Sequence, residues 1–138
     1  MDGEPRNGSV GLVLVSHSAA IADGLAELVA QVAGPSVPIA AAGGGPDGTF
    51  GTDGGRVFEA LREAARSAGA VVLMDLGSSV LSVRAALGEL PDETVARLRI
   101  ADAPLVEGAI AAGVTASTGG SVDDVLAAAQ GARTVAKL

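Results

Sequence analysis

Two hydrophobic rhythms alternate along the chain. Residues 10–15 (VGLVLV) are a continuous apolar run, the pattern of a strand buried on both faces. From Ser18 the period lengthens: Ile21, Leu25, Leu28, Val29 and Val32 share one helical face, with Ser18 as opening cap and Gly34-Pro35 as stop. Residues 37–42 predict a second strand. A Gly-rich loop, AGGGPDGTFGTDGG at about 42–55, leads into a helix carrying Val57, Leu61, Ala64 and Ala65 that ends at Gly69. AVVLMD at 70–75 is the next buried strand. A helix with Val80, Val83, Leu87 and Leu90 follows it and stops at Pro91. Residues 98–101 predict a fourth strand. Asp102 and Pro104 then open a helix with proline in its first turn, and S-x-x-D at 121–124 opens the last one as a capping box.

Strands that alternate with helices pair in parallel through right-handed crossovers. The expected fold is therefore α/β, a flavodoxin-like three-layer sandwich whose mainly parallel sheet has strand order 2-1-3-4. Residues 1–9 (MDGEPRNGS) read as a disordered lead without an apolar signal region, and 10–138 as one domain.

Composition narrows the chemistry. The core must be built from Ala, Val, Leu and Ile, because the chain has two Phe and neither Trp nor Tyr. It has no Cys, which removes disulfides, thiolate chemistry and Cys-ligated zinc and is compatible with a cytoplasmic location. No stretch approaches the roughly 20 apolar residues that span a bilayer, so no membrane insertion is expected. A net charge of -7 with almost no aromatic rings disfavours nucleic acid and points to basic protein partners.

His17 is the only histidine, and it stands where the first strand hands over to the first helix. In a 2-1-3-4 sheet the winding reverses between strands 1 and 3, and ligands gather there, beyond the strands' carboxyl ends. Asp75 ends strand 3, so the two residues are expected to meet. One imidazole nitrogen can attack phosphorus while the other donates to Asp75, which orients the ring and stabilises its cationic form. Hydroxyls of Ser16, Ser18, Ser78 and Ser79 are candidate phosphoryl ligands, with Gly77 in the same turn and Thr52 in the Gly-rich loop. Helix N-termini opened by Ser18 and by Ser78 or Ser79 favour an anion. A structural reading also stands at this point: a lone histidine can cap a carbonyl, and an aspartate after a strand can cap a helix.

Rival sites lack their residues. A receiver domain needs an acidic pair where Ser16 and His17 stand, and a P-loop needs its G-K-[ST]. A flavin site wants flanking aromatics, and Phe50 is the only loop aromatic. With one histidine and no acidic cluster, no metal is expected, and no cofactor.

V-S-H-S at 15–18, F-G-T-D at 50–53, L-M-D-L-G-S-S-V-L-S at 73–82 and D-A-P-L-V-E-G-A at 102–109 together resemble the phosphoryl-donor subunits of bacterial dihydroxyacetone kinase. The domain is also similar to mannose-type enzyme IIA of the phosphotransferase system. The resemblance implies a cytoplasmic phosphotransferase subunit of glycerol metabolism. It would take a phosphoryl group, ultimately from phosphoenolpyruvate, off a histidine-containing phosphocarrier protein onto His17. It would pass the group to ADP on the kinase's nucleotide-binding subunit. It further implies a homodimer, expected near the third helix or fourth strand. The alternatives are an enzyme IIA component of a mannose-type sugar transporter and a catalytically silent regulatory domain. Ala19, Ala20, Phe50, Leu76 and Val80 are the expected docking rim.

Overall fold

The computed structural model describes residues 8–138, so most of the expected lead at 1–9 lies outside the described residues. The elements in order are β1 (Gly11–Ser16), α1 (Ala19–Ala33), β2 (Ile39–Gly43), α2 (Gly54–Ala64), β3 (Ala70–Met74), α3 (Gly77–Leu87), α4 (Asp92–Val95), β4 (Leu98–Ile100), α5 (Leu105–Ser117) and α6 (Val122–Gly131). The sheet is parallel throughout, in the order β2-β1-β3-β4.

The apolar runs in β1 and β3 are continuous because each strand is covered on both faces. Leu12, Leu14, Val71 and Leu73 point to one side, where they meet Leu25, Val29, Ala109, Ala112, Val125 and Ala129 of α1, α5 and α6. Val13, Val15, Val72 and Met74 point to the other, against Val57, Leu61, Val83 and Ala86 of α2 and α3. A core without large rings closes by bringing helices near each other. A Cβ added to Gly113 of α5 would sit 2.7 Å from Cγ1 of Val29, so α5 and α1 pack almost backbone to side chain.

The structure departs from the sequence reading at several points. The buried row of α1 is Ala22, Leu25, Val29 and Ala33, while Ile21, Leu28 and Val32 are about half exposed. Small alanines reach the sheet more closely than branched residues, and so rotate the apolar arc outward. Ala19 and Ala22 approach Gly43 of β2, which leaves Ile21, Leu28 and Val32 on an outer flank of α1. Val106 and Val114 of α5 are exposed as well. Pro104 is the N-cap of α5 rather than a first-turn residue. The short α4 after Pro91 has no apolar period to announce it. Ser18 does cap α1, and Ser121 with Asp124 does form the capping box of α6.

Candidate functional site

Parallel pairing of β1 with β3 puts Val15 beside Met74, so the next residues of both strands emerge together at the switch point. Asp75 N donates to Val15 O at 3.2 Å and sets the carboxylate under His17. That carboxylate is saturated with donors. Its Oδ2 accepts from Ser16 Oγ (2.8 Å) and His17 N (2.9 Å). Its Oδ1 accepts from His17 Nδ1 (2.9 Å), Ser79 Oγ (2.7 Å) and Leu76 N (2.7 Å). Burial pushes the Asp75 carboxyl up, but the hydrogen bonds from Ser79, from the His17 backbone and ring, and from Ser16 outweigh it and hold the group well below the usual carboxylate range.

An ionised Asp75 can only accept, so the proton of the neutral ring sits on Nδ1 and the lone pair on Nε2. Ser79 Oγ also lies 3.2 Å from Nδ1. Nε2 faces the exposed Ser78 hydroxyl, which donates to it. The His17 side chain is 22% exposed and that of Asp75 18%, so the ring is held from beneath while its far nitrogen remains reachable. This arrangement can present an oriented, unprotonated imidazole nitrogen to an electrophile.

The candidate residues sort into three groups. His17, Asp75, Ser16, Ser78 and Ser79 converge. Ser16 is fully buried, however, and its hydroxyl is spent on Asp75 and on Ser18 N (3.1 Å). The Ser18 hydroxyl accepts from Ile21 N at 3.2 Å as the helix cap. Neither Ser78 nor Ser79 opens α3: Leu76 is its N-cap, without a side-chain cap bond, and Gly77 is its first residue. The two hydroxyls sit inside the first turn and turn to His17 and Asp75 instead. Thr52 bonds not to the histidine but to Ser82 Oγ of α3, at 2.5 Å. Ser82 escaped the sequence reading, although its i+4 spacing from Ser78 places it on the same helix face. Among the described residues no three His, Asp or Glu side chains gather to hold a metal ion.

The Gly-rich loop is stitched to the site. Gly44 N donates to Ser16 O (3.1 Å) and Gly51 N to His17 O (2.9 Å). Asp53 caps α2 through Gly55 N and Arg56 N. Phe50, at the loop's tip, is 85% exposed, and Leu76, beside Asp75, is 61% exposed. A crevice of about 320 Å³ lies behind Asp75, bordered by Leu76, Val80 and Arg84.

The model of the family described as PTS system fructose IIA component, EIIA-man, matches residues 11–126. The chain is 42% identical over 120 residues to the phosphoryl donor subunit DhaM of the PEP-dependent dihydroxyacetone kinase of Escherichia coli K12. That alignment covers 85% of this chain and 25% of the relative. It is 36% identical to the phosphoryl donor subunit DhaM of PEP-dependent dihydroxyacetone kinase 2 of Listeria innocua, over 85% of this chain and 94% of the relative. The chain thus spans about a quarter of the first relative and nearly all of the second. The crystal structure of EF1359, a protein of unknown function, superposes with a TM-score of 0.78 at 36% identity, covering 87% of this chain and 92% of that one.

Proposed function

From the membership of this chain in the EIIA-man family of phosphotransferase-system IIA components, we propose that it is the phosphohistidine-carrying part of a dihydroxyacetone kinase phosphoryl donor. The observation that carries this reading is the His17 ring, fixed at Nδ1 by a saturated Asp75 and open at Nε2 beside Ser78. The Nε2 lone pair attacks the phosphorus of a carrier's phosphohistidine. The donor's P–N bond breaks, and its electron pair returns to the donor nitrogen. Asp75 keeps the Nδ1 proton and offsets the positive charge that builds on the ring. Ser78, displaced from Nε2, is placed to donate to a phosphoryl oxygen, with the first turn of α3 behind it. In the second half-reaction a β-phosphate oxygen of ADP on the kinase's nucleotide subunit attacks the same phosphorus, and the bond to Nε2 breaks. No metal or cofactor on this chain enters either step.

The donor and the acceptor meet the same exposed nitrogen in turn. Phe50, Leu76 and the half-buried Val80 form the apolar part of the rim. No Lys or Arg occurs from Gly8 to Gly55, whereas Asp23, Glu27, Asp47 and Asp53 do, so a basic partner surface suits the α1 side. A second copy of the chain fits the exposed apolar side chains of α1 and α5 rather than the third-helix or fourth-strand surface. Those two helices cover the face of the sheet opposite α3, to which Nε2 points. We place the protein in the cytoplasm, as one domain from residue 10 onward.

Incubation with labelled phosphoenolpyruvate and the upstream carriers tests the reading. Acid-labile label is expected on the wild type and absent from His17→Ala, with passage to the ADP-binding kinase subunit. Label that persists in His17→Ala overturns it. The family description itself supports a second reading, an enzyme IIA of a sugar transporter; label passing to a transporter domain and not to the kinase subunit selects it. A protein that accepts no label is left with the regulatory reading.

A further inference from the structure

Thr52 was a candidate phosphoryl ligand in the sequence, yet its hydroxyl is committed elsewhere. It shares a 2.5 Å hydrogen bond with Ser82 Oγ, and Ser82 Oγ donates in turn to Ser78 O at 3.3 Å. The single Ser82 proton is therefore used, and Thr52 is the donor of the pair. Both residues are half-buried. At its other end the same loop holds the site's backbone through Gly44 N on Ser16 O and Gly51 N on His17 O, and Gly44 pairs with Thr52 as a parallel bridge. The Thr52–Ser82 bond thus ties the strand end that carries His17 to the helix turn that carries Ser78.

Resting on the phosphohistidine reading above, we infer that Thr52 and Ser82 are a positioning pair, a latch that sets the distance between the start of α3 and the His17 ring. The start of α3 has no side-chain cap of its own; Leu76 N and Ser79 Oγ fasten it to Asp75, and the Thr52–Ser82 bond adds a second hold one turn further on. The lone pair of Nε2 cannot accept from Ser78 and bond phosphorus at once, so the Ser78 hydroxyl must swing aside during transfer. With α3 latched one turn further on, rotation about the Ser78 Cα–Cβ bond suffices, and the hydroxyl stays within reach of the phosphoryl group. Without the latch the first turn is held by its bonds to Asp75 alone, and the Ser78 hydroxyl is set less closely for either state. A displacement of about 1 Å at a reacting group costs on the order of a hundredfold in rate, so a partial loosening is expected to cost less.

The test uses the full chain and the variants Thr52→Val, Ser82→Ala, their double variant and Thr52→Ser, with phosphoramidate as a small donor that needs no docking surface. Single-turnover phosphorylation is expected to fall about tenfold in each single variant, no further in the double variant, and to recover in Thr52→Ser. The ¹⁵N shift of His17 Nε2 in the unphosphorylated protein is expected to move in Thr52→Val toward that of a ring without the Ser78 bond. An unmoved Nε2 shift overturns the latch, as do rates within about twofold of wild type. A loss confined to reactions with the protein carrier also overturns it, since the loop would then serve docking alone. Failure of the wild type to accept phosphate from any donor overturns the phosphohistidine reading instead, while the Nε2 shift still decides the latch.

Discussion

Asp75 is the residue on which the site's geometry and the pH response of the fold converge. Its carboxylate collects five hydrogen bonds, two of them from buried serines. Replacing it with asparagine keeps the size but offers one accepting oxygen instead of two and turns an amide toward donors. The expected cost is about 1–3 kcal/mol of stability at neutral pH, the range for buried groups left unpaired. Transfer is expected to slow in both directions, because the amide can hold Nδ1 but cannot balance a cationic ring. Wild-type rates in rapid-quench assays would remove Asp75 from the mechanism. The pH dependence has a definite direction. The folded carboxyl lies below its unfolded value near 3.9, so its contribution is complete above that pH and fades as pH falls below it. Urea unfolding at pH 7 and pH 3 is expected to show the gap between wild type and Asp75→Asn narrowing at the lower pH.

At the scale of elements, the site depends on how closely α1 approaches β2. A Cβ on Gly43 would lie 2.6 Å from Ser18 O, 2.7 Å from Ala22 Cβ and 2.9 Å from Ala19 Cα. Two of these neighbours are backbone atoms of the turn that follows His17, so they cannot yield by a rotamer change. Gly43→Ala is expected to push the start of α1 off the sheet, costing about 1–3 kcal/mol as overpacking, and to disturb His17 with it. Ser18→Ala removes only the cap bond to Ile21 N and is expected to cost about 1 kcal/mol while leaving transfer near wild type. Thermal melts paired with phosphorylation rates check both; transfer intact in Gly43→Ala would show that the turn tolerates the shift. The caps of α1 and α6 were readable because each is a local bond between a side chain and a nearby N–H. The start of α3 differs from the local pattern because Ser78 and Ser79, good caps by type, are drawn to His17 at the end of β1 and to Asp75 just ahead of the helix.

For the whole molecule, Ile21, Leu28 and Val32 of α1 and Val106 and Val114 of α5 are between 43% and 52% exposed, on helices that cover the face of the sheet opposite α3. If the chain self-associates as proposed, Leu28→Glu is expected to weaken that association in sedimentation while leaving transfer intact; Leu81→Glu, on an exposed position of α3, is the control. Loss of the dimer in the control alone would move the interface to α3. The sequence by itself determined the α/β class, the strand order and the pairing of His17 with Asp75. Doubly buried strands and amphipathic helices leave different periods, and right-handed crossovers leave few ways to wind four strands. Tertiary structure alone decided which α1 residues face inward, which serines bond one another, and where Thr52 points. Those outcomes turn on distances of an ångström or less between segments remote in the chain. The packing of α1 on Gly43 and of Ser82 beneath Thr52 sets such distances, and no local pattern encodes them.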